Sequence, residues 1–477
     1  MAFYLSVNDP LDHADFEYQD DKFAVLRLNE ERIMRKGICA LLTLAVLLFA
    51  AGCGKQTLSE ETEPSLLEVT EGIQETIPET TELEEQTIPA TEPQPEESIP
   101  PVEPEILAPA QEITEGIQVR INEDSYGEKL FDRNFYTSLE FQSNNTIVIT
   151  SEVPFASVYL LWDYLPGEYL VSWEGGSSEC GVEGFIHEYV CMNQEVTTVT
   201  ITFAEESEKS LCELYLYTAG SKPSDVQVWS QPCEQADILV FPTHSDDDTL
   251  FFGPLIAYYA IERQLTVQTA FMVVHTAQPY RVHERLNGLW EMGIRNYPIL
   301  YNAPDTGTLD FWEAMSWYSM SKIPDWQVEL IRRFKPLVVV GHDLNGEYGN
   351  GGHKVNAYYL VRAVEYAADP DKFPESAQLY GTWDTPKLYI HLYQQNEWYF
   401  DVDTPMENDP EGRTPFEVAK DAFDHHESQH QWGFRVQKDE YSRLYDCRPF
   451  GLYRSLVGFD TTADVMENID PAQWRTD

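Results

Sequence analysis

His244-Ser245-Asp246-Asp247-Asp248 follows directly on the apolar run Ile238 to Phe241 and opens into Leu250-Phe251-Phe252-Gly253. A strand delivering a histidine and three carboxylates into a helix's first turn puts metal-binding atoms at the carboxyl edge of a sheet. Open α/β folds keep their ligand crevice there. Imidazole nitrogen with one carboxylate oxygen suits zinc, and a second Asp beside them is placed to hold and deprotonate a water. The plainer reading is an acidic helix N-terminus, which the helix dipole favours. A second cluster favours the metal. Gly341-His342-Asp343-Leu344-Asn345-Gly346-Glu347-Tyr348-Gly349-Asn350-Gly351-Gly352-His353 follows the apolar run Leu337 to Val340 and leads into a helical segment, so it belongs on the same sheet edge. Its glycines permit close backbone approach and unusual dihedrals. His244, Asp247 and His353 then make three ligands with open coordination, the arrangement of a catalytic zinc.

Two other patterns compete. His426-Glu427-Ser428-Gln429-His430 has the His-Glu-x-x-His spacing of zinc proteases, which on a helix puts both histidines on one face with Glu427 as base. Short patterns of this kind recur by chance, and no clear third ligand follows. Asp246-Asp247-Asp248-Thr249 is one position out of step with the Asp-x-Asp-x-Thr of aspartyl phosphatases and is discounted.

The elements that must position these residues fall into two regions. Residues 116–230 are rich in β-branched and aromatic runs of strand length, such as Thr146 to Thr150, Ser157 to Trp162 and Val196 to Thr202, separated by Pro166-Gly167 and Gly175-Gly176. This pattern predicts an all-β sandwich or jelly roll. Trp162, Tyr164, Tyr169 and Trp173 there would serve as core or as a sugar-binding platform. Residues 231–460 alternate strand-like runs with longer helical segments, which predicts an α/β domain with a mostly parallel sheet. A tail, 461–477, follows.

The amino-terminal part reads as an export apparatus. Met34-Arg35-Lys36, the apolar run Ile38 to Ala51 and Gly52-Cys53 form a secretory signal, 34–53, too short in its apolar part for a comfortable membrane span. Phe49-Ala50-Ala51-Gly52-Cys53 resembles a bacterial lipobox, with Ala50 where Leu is usual, so Cys53 is the expected lipidation site and the membrane is met through a lipid anchor only. Residues 1–33, acidic and upstream of the signal, are an extension if translation begins at Met34. Residues 54–115 are Glu, Thr and Pro with almost no basic residue, a self-repelling tether. The formal net charge of -50 argues against nucleic acid as a partner. Beyond Cys53 remain Cys180, Cys191, Cys212, Cys233 and Cys447, an odd number, of which Cys180 and Cys191 are plausible disulfide partners.

Taken together, the motifs resemble the PIG-L/LmbE-like zinc-dependent de-N-acetylases. Members carry His-Pro-Asp-Asp-Glu after the first strand and a Gly-Tyr-Gly-His-x-x-His type motif near a later one. Here these read His244-Ser245-Asp246-Asp247-Asp248 and Glu347-Tyr348-Gly349-Asn350-Gly351-Gly352-His353. Arg281-x-x-Glu284 followed by Met292-Gly293 is similar to the family's helix after strand two. His426-x-Ser428-Gln429 is similar to its late His-x-Ser-Gln element, which explains the protease-like spacing. The resemblance spans about residues 237–429. It implies a Rossmann-like, mostly parallel sheet with helices on both faces, and zinc on His244, Asp247 and His353. It makes Asp246 the general base, sets Tyr348, Asn350 and His426 near the substrate carbonyl and leaving amine, and gives Arg281 and Gln429 to substrate binding. Arg281 has a competing reading as a helix-surface ion pair with Glu284. Ser245 and Asp248 replace Pro and Glu, neither of them a ligand. Asn350 replaces a histidine that assists charge stabilisation, which bears on rate more than on metal. The implied activity is removal of the N-acetyl group from an N-acetylglucosamine-type conjugate at the surface of a bacterial cell. The alternative is a non-catalytic, carbohydrate-binding lipoprotein.

Overall fold

The computed structural model describes residues 108–475 except 123, 127, 143, 145, 205, 206 and 319–321. The extension 1–33, the export signal with Cys53 and the tether as far as 107 lie outside the described residues. Among the described residues no helix is long and apolar enough to cross a membrane.

Nine strands make up the first region: β1 (Glu112–Ile113), β2 (Ile117–Ile121), β3 (Asp124–Tyr126), β4 (Leu139–Gln142), β5 (Ile147–Trp162), β6 (Tyr169–Trp173), β7 (Gly176–Cys180), β8 (His187–Phe203) and β9 (Glu208–Tyr217). All their pairings are antiparallel, along the order β1-β9-β5-β8-β6-β7, with β2 on β5, β3 on β2 and β4 on β9. In β5, Ile147, Ile149, Val158, Leu160 and Trp162 are buried at alternate positions on either side of a break. The break has a cause: register shifts between Thr150 and Ser157, around Pro154, which has no N–H for the ladder.

Two expectations change here, and one open alternative is decided. Residues 109–113 were assigned to the tether, yet β1 pairs with β9 and the Ala110 N–H donates to Ser221 O at 2.9 Å, because Ile113 has core to enter. Trp162 and Tyr169 form no exposed platform; both are buried and pack with Phe141 and Phe203, while Tyr164 alone of the four is well exposed. Cys180 and Cys191 are separate thiols, one buried and one exposed, as are Cys212, Cys233 and Cys447.

The second region holds β10 (Ile238–Val240), β11 (Val267–Val273), β12 (Ile299–Ala303), β13 (Val338–Gly341), β14 (Lys387–His391), β15 (Glu397–Tyr399) and β16 (Pro449–Ser455), in the order β12-β11-β10-β13-β14-β16-β15. β10 to β14 run parallel and β16 is antiparallel to both neighbours. Its helices are α1 (Asp247–Leu250), α2 (Gly253–Ala257), α3 (Pro279–Glu291), α4 (Phe311–Trp317), α5 (Lys322–Phe334), α6 (Gly351–Ala368), α7 (Pro374–Tyr380), α8 (Pro415–Asp424), α9 (Glu427–His430) and α10 (Pro471–Trp474), with a π-turn at Tyr258–Glu262 after α2. The sheet is buried on both faces. Ile238 and Val240 pack in a cluster with α1 to α3 and α8, whereas Leu239 and Phe241 pack with α5 and α6. That is why β10 and β13 read as unbroken apolar runs rather than alternating ones. From β10 the chain moves outward to β11 and β12, then returns to add β13 on the other side. The β10 and β13 ends are therefore the topological switch point, where the loops diverge and leave a crevice. The described residues belong to one compact unit, and the two sheets contribute to a shared core cluster.

Candidate metal centre

Both sequence motifs leave the sheet at this switch point. After β10 the chain turns at once, and the Thr243 and His244 N–H groups donate to Asp247 Oδ2 at 3.1 and 2.6 Å. After β13 it makes a longer excursion. Gly349 lies at φ +84°, and a Cβ on Gly351 would meet the carbonyl oxygens of Thr308 and Asp310 at 2.8 Å. Asn350 then caps α6, its Oδ1 accepting the His353 N–H at 3.2 Å. The cap aims His353 back across the crevice.

Three donor atoms converge. His244 Nδ1 is 3.1 Å from His353 Nε2 and 3.3 Å from Asp247 Oδ2, and His353 Nε2 is 3.1 Å from Asp247 Oδ2. A tetrahedral ion with ligands at about 2.0–2.1 Å spaces its ligand atoms about 3.3 Å apart. The triangle therefore has the size of one face of such an ion's coordination shell, and all three residues are buried. Burial alone would raise the Asp247 carboxyl, but the facing His353, His244 and His342 hold it well below the usual range.

The ligands are themselves held. Glu347, wholly buried, accepts from His353 Nδ1 at 2.9 Å, His342 Nδ1 at 2.7 Å and His391 Nδ1 at 2.8 Å. Donation of the His353 Nδ1 proton fixes the tautomer and leaves Nε2 as a bare lone pair toward Asp247 and His244. His342 Nε2 in turn accepts the Thr243 N–H at 2.9 Å, tying the two motif loops together. On the other side His244 Nε2 lies 3.6 Å from Asp305 Oδ1. Glu347 was legible only as a letter of the motif, and His342, His391, His275 and Asp305 had no assigned part; no local spacing joins residues from β12, β13 and β14.

Asp246 stands at the N-cap position of α1 without a side-chain capping bond; its Oδ1 instead accepts from Arg281 Nη2 at 2.9 Å. Arg281 is buried, bonds His275 Nε2 at 2.8 Å, and lies 3.7 Å from Asp305. It is not a surface partner of Glu284, which instead accepts from the Ser428 N–H and Oγ at 2.8 and 2.6 Å. Burial raises the Asp246 carboxyl while Arg281 opposes the shift. Gln429 donates to Ser428 Oγ at 2.7 Å. Tyr348, in a left-handed conformation at φ 45°, stacks on Tyr445, and Asn350 Nδ2 reaches its hydroxyl at 3.5 Å. Burial raises the Tyr348 phenol far above its ordinary value, so it stays protonated. His426 is buried against α3, where a Cβ on Gly288 would meet its Nε2 at 3.2 Å; burial, with Arg281 nearby, pushes its imidazole well below the usual range. The protease-like pair does not assemble. α9 is four residues long, His430 Nε2 faces Phe423 O at 3.4 Å, and neither histidine joins a group of three possible ligands among the described residues.

No family model matches the chain. Over 183 residues it is 28% identical to 1D-myo-inositol 2-acetamido-2-deoxy-alpha-D-glucopyranoside deacetylase 1 of Frankia casuarinae, a stretch covering 32% of this chain and 57% of that protein. It is 26% identical over 202 residues to the enzyme of the same name from Catenulispora acidiphila, covering 36% and 60%. The chain thus spans under two thirds of the length of these relatives. Their names support the deacetylase family that the motifs resemble. Among solved structures, N,N'-diacetylchitobiose deacetylase from Pyrococcus horikoshii aligns over 42% of this chain and 76% of that one, with 15% identity and a TM-score of 0.33.

Proposed function

We propose that this protein is a metal-dependent hydrolase that removes the N-acetyl group from an N-acetylglucosamine-type conjugate. The observation that carries the reading is the triangle of His244, Asp247 and His353 donors with the Asp246 carboxylate beside it. Zinc is the metal that this donor set suits best, since it mixes imidazole with one carboxylate and leaves a coordination position open. When bound there, it supplies Lewis-acid polarisation of the amide carbonyl and lowers the pKa of water toward about 7.

The remaining work falls to side chains. Asp246 takes the proton of the attacking water, while Arg281 keeps its carboxylate oriented and charged. The amide nitrogen must gain a proton before it departs, and Asp246 returns the one it took. His426, held neutral by burial, is better suited to shaping the pocket wall than to donating that proton. Tyr348, kept protonated, and the Asn350 amide offer hydrogen bonds to the developing oxyanion. Asp247→Ala and His353→Ala should lose both metal and acetate release from N-acetylglucosamine conjugates. Asp246→Asn should keep the metal and lose turnover, because an amide cannot accept the proton. Metal loss in Asp246→Asn with metal kept in Asp247→Ala would mean that the two carboxylates have exchanged roles.

The lipobox-like Phe49 to Cys53 supports an extracytoplasmic protein, lipid-anchored to the bacterial cell membrane at Cys53. Such an enzyme would meet cell-wall or surface glycans. Mass spectrometry of the mature amino terminus tests this, and a mature chain that retains Asp20 would sink it.

A further inference from the structure

A second cluster of ligand-type side chains lies away from the crevice, where the β-rich region meets α3. Asp163 follows β5, Cys212 lies in β9 and His283 lies in α3; one donor atom from each falls within 4.8 Å of the others, and all three residues are buried.

The hydrogen bonds around His283 fix where its protons are. The Trp229 indole N–H, which can only donate, points at Gln227 Oε1 at 3.1 Å, so that atom is an oxygen. Gln227 Oε1 is also 2.8 Å from His187 Nδ1, which must therefore carry a proton. A neutral His187 then has a bare Nε2, and His283 Nδ1, 2.8 Å away, must donate to it. With its proton on Nδ1, a neutral His283 presents a lone pair from Nε2 to the Asp163 Oδ1 carboxylate oxygen at 3.4 Å. Two acceptors face each other in a buried site. A positive charge must enter this chain of groups, as an added proton or as a metal ion.

Cys212 and the outer contacts favour the metal. The His187 contact orients His283 from its far nitrogen, and Ser210 Oγ holds Asp163 Oδ2 at 2.6 Å, the kind of support that metal ligands receive from neighbours. The thiol adds a soft donor; its weak hydrogen bond to Thr137 O, at 3.6 Å, is surrendered when the thiol proton leaves. We propose that Asp163, Cys212 and His283 form a second divalent-metal site, of the zinc class, that clamps the β-rich region onto α3. Arg281 and Glu284 flank His283 on that helix and reach Asp246 and Ser428, so the clamp also sets the helix that supports the deacetylase site.

Cobalt substitution of the full-length protein tests this independently of activity. The crevice site has no sulfur ligand, so a thiolate-to-cobalt charge-transfer band reports on the clamp alone. The expected result is two metal equivalents per chain and a near-ultraviolet band in the parent. The band and one equivalent should vanish in Cys212→Ser and His283→Gln, whereas Asp247→Ala should keep the band with its equivalent and lose the other equivalent. A parent with no band, or a band that survives in Cys212→Ser, overturns the proposal and leaves the positive charge to a proton shared by His283 and Asp163.

Discussion

Asn350 shows how one side chain is asked to do two things. Its Oδ1 caps α6 and its Nδ2 points at the Tyr348 hydroxyl. Loss of an N-cap costs about 0.5–2 kcal/mol, whereas loss of an oxyanion donor costs on the order of a hundredfold in rate. Asn350→Ser keeps a capping hydroxyl but cannot reach the oxyanion, so it should melt near the parent and turn over roughly a hundredfold more slowly. Asn350→Ala should show both losses; a serine variant as fast as the parent would reduce Asn350 to a cap. Glu347 is the residue whose weight the motif hid. Glu347→Gln puts an NH2 group among three imidazole N–H donors in a buried site, and should weaken zinc binding about 10–100-fold. Competition with a chromophoric chelator reads this, and unchanged affinity would show that His353 needs no help to present Nε2. His244, Asp246, Asp247 and His353 were legible as candidates because each motif follows an apolar run that ends at the same sheet edge. Glu347 was not, because its three partners come from three different elements.

At the scale of elements, α3 is the member on which most depends. Its Arg281, His283 and Glu284 reach three separate neighbours, and its far end is pinned to α8 through Glu291, which bonds Arg413 at 2.5 Å alongside Asp421 at 2.9 Å. His425, with Arg413, holds the Glu291 carboxyl down to about 2. A depressed carboxyl stabilises the fold above its unfolded pKa, about 4.3, and that stability is lost as pH falls through the folded value. Glu291→Gln should therefore be less stable than the parent at neutral pH. The difference should shrink between about pH 4.3 and about 2. Thermal melts across that range check it, and a gap that widens on acidification would contradict the assignment. The helix itself was readable from Arg281-x-x-Glu284 and Met292-Gly293, which are similar to the family's helix after strand two. Its partners were not, because hydrogen bonds between distant elements leave no periodic trace.

At the scale of the whole molecule, a metal held at the proposed crevice site would tie folding to function. An ion bound only by the folded chain adds about 2.7 kcal/mol of stability at a hundredfold excess over its Kd, or about 3–4 °C in Tm for a folded region of this size. Chelation should lower Tm by about that much and abolish acetate release, and zinc should restore both; an unmoved Tm with lost activity would place the metal at a site that does not bear on the fold. The alternation of apolar runs and helical segments was enough to give parallel strands flanked by helices, since period and length are local properties of the chain. The two motif clusters, with their order along the chain, were enough to name the three donors at the crevice. Only the tertiary structure brought those donors to 3.1–3.3 Å, gathered three histidines on Glu347, and set His283 against Asp163 and Cys212. Local pattern records which face of an element is apolar, whereas a site built from several elements depends on how those faces pack, and packing is decided among residues far apart in the chain.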